Sequence, residues 1–112
     1  MRPSDEAWVI TDIDEPFRIH HVSPAWERLS GWELSEALGK PCFTLMHGDM
    51  SDSYQLQLVK EQVAIQGRVK LDLLSYHRNG TAFRNTLAIS PLVGPSGGVT
   101  HLLGVVKKSI DM

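Results

Sequence analysis

The chain holds one cysteine, Cys42, and five histidines: His20, His21, His47, His77 and His101. A thiolate is a soft nucleophile, and an imidazole can take its proton or bind a metal ion. Cys42 and His47 share the segment Gly39-Lys40-Pro41-Cys42-Phe43-Thr44-Leu45-Met46-His47-Gly48 and could supply half a metal site. No further ligand follows at useful spacing, and no oxyanion motif accompanies a Cys–His pair, so neither a metal site nor an enzyme is expected. His20 and His21 are neighbours on an expected strand, which should aim them at opposite faces and keep them off one ion. Without a partner, Cys42 reads as a small buried hydrophobe. Asn85 reads as a polar residue satisfied within a strand, and Lys60 as a cation on a solvated helix face.

The elements that would position these residues show in the hydrophobic pattern. Two apolar segments, Ala7 to Asp12 and Phe17 to Val22, flank Asp14-Glu15-Pro16 and read as strand, tight turn, strand. Ser23 can cap a helix that Pro24 starts and Gly31 ends, with Trp26 and Leu29 on its apolar face. Glu33 to Leu38 is a further turn or two of helix, stopped by Gly39 and Pro41. Leu56, Leu58, Val59, Val63 and Ile65 predict the longest helix, over 53–65, with Gly67 as its stop. The period then changes. Val69, Leu71 and Leu73 alternate with Lys70 and Asp72, Asn79-Gly80 signals a hairpin, and Phe83 to Leu92 forms the returning strand. A second turn, Gly94 to Gly98, leads to a strand from Val99 to Val106. Five strands with helices grouped in the middle imply an α+β fold: an antiparallel sheet with helices on one face.

Composition narrows the function classes. With 112 residues and 12.5 kDa, the chain fits a single domain spanning 1–112, with its core at about 7–107. Eleven Lys+Arg against 13 Asp+Glu leave a net charge of -2, so there is no electrostatic footprint for nucleic acid or acidic lipid. A lone Cys forms no internal disulfide. No signal-like stretch opens the chain, and no run approaches the ~20 apolar residues of a membrane span, which predicts a cytoplasmic domain.

Several separated motifs, in order, resemble a known family. Val9-Ile10-Thr11-Asp12 resembles the first strand of light-oxygen-voltage (LOV) domains, the flavin-binding blue-light sensors among PAS domains. VSPAWERLSGW, from Val22 to Trp32, resembles their V-N-x-A-F-x-x-L-T-G-Y. Gly48-Asp49-Met50-Ser51-Asp52 resembles G-P-x-T-D, and LLSYHRNGTAFRN, from Leu73 to Asn85, resembles L-L-N-Y-x-K-D-G-x-x-F-x-N. HLLGVV, from His101 to Val106, resembles H-F-x-G-V-Q. The resemblance covers residues 8 to 107 and implies a PAS fold.

It also implies a site. In the family, a cysteine in G-x-N-C-R-F-L-Q adds to the ring of FMN after light absorption. Aligned on Gly39, Cys42 takes that place; aligned on Gly48, Phe43 does, because the segment has one extra residue. Two Asn and one Gln hold the ring edge in the family, and Ser75, Asn85 and Val106 stand at those positions. The phosphate-binding arginines match Phe43 or Thr44, and Lys60. Only Asn85 keeps its carboxamide, so the resemblance predicts that flavin is not bound in the standard LOV manner. The Pro-Cys pair, followed by Leu45, Met46, His47 and Gly48, is also similar to cofactor-free PAS domains, such as those of ether-à-go-go-type potassium channels and many sensor kinases. Phe43, Leu45, Met46 and Val106 would fill such an interior. The expected role is a sensory or interaction module of a signalling protein, its output lying beyond Lys108 to Met112 or in another chain. It is expected to form a homodimer or dock an effector through the outer sheet face, where Leu103 and Val105 form an apolar strip if Leu102, Gly104 and Val106 face inward. The alternative is an FMN photoreceptor that forms its adduct through Cys42.

Overall fold

The computed structural model describes residues 6–14, 16–47, 57, 61–63, 65 and 67–111. Strand β1 (Ala7–Asp12) returns as β2 (Ile19–Val22), and three short helices follow: α1 (Pro24–Ser30), α2 (Leu34–Ala37) and α3 (Cys42–His47). Strands β3 (Val69–Tyr76), β4 (Ala82–Val93) and β5 (Val99–Asp111) complete one sheet of order β2-β1-β5-β4-β3, with every neighbouring pair antiparallel. The α+β expectation holds. Of the helix expected over 53–65, Gln57, Glu61 to Val63 and Ile65 are helical, and Gly67 ends it with φ 71° and a 3.0 Å bond from its N–H to the Val63 carbonyl. The remainder of that helix, Lys60 and the Gly48 to Asp52 motif lie outside the described residues.

Alternation decides which sheet face is buried. Val9, Leu73, Phe83, Leu87, Ile89, Leu102 and Val106 face the helices and form the core with Trp26, which is fully buried. The parity expected for β5 is therefore the one observed. Ser23 fixes the join between sheet and helix. Its hydroxyl oxygen accepts the N–H groups of Trp26 (3.2 Å) and Trp8 (2.9 Å), and its O–H donates to the Glu6 carbonyl (2.7 Å). Gly31 closes α1 in the left-handed conformation, φ 84°.

Four local expectations differ from the structure. Strand β2 starts at Ile19 because Phe17 sits at φ 60°, a conformation that costs a non-glycine residue about 1 kcal/mol and is held here by burial of the ring. Pro41, expected as a helix stop, stands instead at the entrance of helix α3, which carries Cys42. Strand β5 continues to Asp111, opposite Phe83, because β4 satisfies its backbone even where Lys107-Lys108-Ser109 breaks the apolar pattern. Finally, β1 pairs Ile10 with His21 but Thr11 with Ile19, so His20 is the extra residue of a bulge. The bulge puts both His20 and His21 on the outer face, where His20 meets Asp12 and His21 tilts against Trp8, rather than on opposite faces.

Candidate functional site

Between the sheet and the helices lies an apolar cavity of about 30 Å³. Val9 and Thr11 of β1, Leu87 and Ile89 of β4, and Leu102 and Gly104 of β5 form its floor; Phe17, Val63 and Cys42 close it. Gly104 keeps this floor uncrowded, since a Cβ there would press on the Val9 side chain at 3.2 Å and the Leu87 side chain at 3.3 Å. Gly104 lies inward with Leu102, as the alternation of β5 suggests; Thr11 was not singled out as a cavity residue from sequence, although the alternation of β1 is the signal that places it inward.

Cys42 enters the site from the start of α3. Its N–H bonds the Phe17 carbonyl at 3.1 Å, and Pro41 bridges to Arg18, which ties the helix to the turn before β2. The residue keeps some surface, but its thiol is enclosed, and burial pushes it up from the usual 9.0 to about 12. The sulfur therefore stays protonated and weakly nucleophilic.

The other expected site residues divide into groups. Ser75 and Asn85 come together on the inner face, and the Ser75 hydroxyl donates to the Asn85 carboxamide oxygen at 2.6 Å. This bond between neighbouring strands uses acceptor capacity of the one retained amide. Val106 is buried opposite Leu87 and Ala7, where it packs as a hydrophobe. Neither Ser75, Asn85 nor Val106 lines the cavity that Cys42 closes. Met46 is buried and Leu45 packs against the core, as a filled interior requires. The side chains of Phe43, Thr44 and His47 lie outside the described residues. Among the described residues, no three His, Cys, Asp or Glu are grouped to hold a metal ion, and no helix is long and apolar enough to cross a membrane.

The sheet order, the helices gathered on one face and the cavity between them match a family. Residues 6–108 match the PAS fold. The chain is a PAS domain. Solved structures similar to it include LOV domains. One, studied with a flavin analogue, superposes with TM-score 0.82 at 30% identity, covering 93% of this chain and 77% of the neighbour. The light-state LOV domain of the blue-light photoreceptor Aureochrome1 superposes with TM-score 0.80 at 25% identity, covering 92% and 80%. Blue-light-activated histidine kinases of Brucella canis and Brucella abortus are 30% identical over 82 residues, 73% of this chain. This PAS domain spans only 17% of those kinases' length, so the likeness concerns one domain of them.

Proposed function

We propose that this PAS domain is a sensory and protein-interaction module of a signalling protein, with an interior filled by its own side chains and no flavin held in the LOV manner. The cavity of about 30 Å³ carries this reading. That space holds no more than a few water-sized groups, whereas a flavin presents three fused rings. The polar surroundings agree. A flavin ring edge needs alternating donors and acceptors; Val106 supplies neither, and Asn85 is bonded to Ser75. With each unmet buried polar group costing about 1–3 kcal/mol, two or three such losses would reduce FMN affinity by several powers of ten. The described residues group no catalytic constellation; any kinase-like output belongs to the longer proteins in which such domains occur.

Signal transfer in this reading uses the outer sheet face. Trp8 stands opposite Val105, and Ile10 opposite Leu103, making an apolar strip across β1 and β5 for a second copy or an effector. These side chains are half-buried rather than fully exposed.

An absorption spectrum tests the proposal. The purified protein should be colourless and should release FMN on gel filtration after incubation with it. A structured band near ~450 nm that bleaches in blue light would overturn the reading. One observation favours that second reading, an FMN photoreceptor: the Cys42 thiol closes the cavity. If the band appears, Cys42→Ala should keep the colour and abolish the bleaching.

A further inference from the structure

We propose that His20 and His101, on the outer face of the sheet, bind a divalent transition-metal ion of the kind that favours imidazole. They lie far apart in the sequence, on β2 and β5, with β1 between them in the sheet. The bulge at His20 brings its ring across β1, so that the two ring centroids stand 4.8 Å apart with planes at 85°. With metal–nitrogen bonds of about 2.1 Å and a near-tetrahedral angle, two imidazoles sharing one ion sit roughly 5 Å apart, centre to centre. The observed spacing is already that of a pair of ligands. Rotation of the His101 ring about χ2, a broad torsion, turns its nitrogens relative to His20 and leaves the His20–Asp12 contact in place.

Aromatic packing alone explains an edge-to-face contact of two rings. The polar partners behind the rings add to it. His20 Nε2 contacts the Asp12 carboxylate, an acceptor, so the N–H is held there and the lone pair is left on Nδ1. His101 Nδ1 contacts the Thr100 hydroxyl at 3.0 Å; with the ring as donor, its Nε2 carries the lone pair. Carboxylates and hydroxyls in this position orient metal-binding imidazoles. The His20 and Asp12 side chains are 47% and 42% exposed, so an ion can reach them without unfolding. Because no third side chain is grouped with them among the described residues, the two rings supply two positions and water supplies the others. Asp12 stays behind His20 as a positioning residue.

The experiment titrates the untagged 112-residue chain with Ni²⁺, and separately with Zn²⁺, in a non-chelating buffer by calorimetry. One ion per chain is expected. His20→Gln and His101→Gln should each weaken binding at least about tenfold, and Asp12→Asn by about tenfold, while His21→Gln and His77→Gln leave it unchanged. Both ligand positions are on the surface, and circular dichroism checks that the variants stay folded. Independently, substoichiometric Ni²⁺ should broaden the imidazole resonances of His20 and His101 before those of His21 and His77. Absence of binding by the folded protein, or wild-type affinity in both His20→Gln and His101→Gln, would overturn the assignment.

Discussion

At the scale of the residue, Cys42 shows how far an environment can move a side chain from what its type suggests. A lone cysteine in a segment that resembles a photochemical loop invites nucleophilic chemistry; burial beside a cavity lined by Val9, Phe17 and Leu102 weakens it. The thiol is raised to about 12, so its thiolate fraction at pH 8 falls about 10³-fold below that of an ordinary thiol. Labelling by a water-soluble disulfide reagent at pH 8 should accordingly run at least ~100-fold slower in the folded protein than in guanidinium; equal rates would refute the enclosure. The same shift sets a pH dependence. The folded chain keeps its proton where the unfolded chain releases it, so the contribution of Cys42 is complete below pH about 9 and is lost as pH rises towards 12. The loss runs at about 1.4 kcal/mol per unit. Between pH 8 and 10.5, urea unfolding should show the wild type losing roughly 2 kcal/mol more than Cys42→Ala. Parallel losses would place the sulfur in contact with water.

Elements were legible where local chemistry decides them and illegible where pairing does. Ser23-Pro24 at the start of α1 and Gly31 at its end could be read directly, because cap and stop act within a few residues. The bulge at His20 depends on how β2 pairs with β1 after the strained turn at Phe17, which no local pattern reveals. The pairing of β5 beyond Val106 comes from β4, a tertiary partner that overrides three polar residues. Cys42 could be named as the residue to test, yet its separation from the Ser75–Asn85 pair required the fold. Ser23 joins both kinds of information, since its hydroxyl caps α1 and also holds β1 and Glu6. Ser23→Ala would leave two N–H donors and one carbonyl without this partner in a site that is 1% exposed. The expected cost is about 2–3 kcal/mol, more than a surface cap is worth, and chemical denaturation measures it. A loss below ~1 kcal/mol would mean that water or a backbone shift replaces the hydroxyl.

For the molecule as a whole, the two halves of the outer sheet face differ. The β3–β4 half presents Lys70, Asp72 and Arg84, with Lys107 of β5 beside them, all exposed. The β1–β5 half presents Trp8, Ile10, Leu103 and Val105 in cross-strand pairs. Charged side chains suit a face that stays in water, whereas paired apolar ones gain from being covered. A net charge of -2 opposes association only weakly. A second copy meeting this face about a two-fold axis would place one apolar strip against another, with the charged half as a rim. Stable dimers bury at least about 1,000 Å² in total, so the contact must extend past the strip, and a polar substitution at its centre should be felt strongly. Light scattering from ~1 μM to ~1 mM should show a concentration-dependent dimer. Leu103→Glu should raise its dissociation constant at least tenfold, because two carboxylates would be buried without partners. A wild type that stays monomeric at ~1 mM would sink self-association, and an effector would then be the occupant to seek on the same strip.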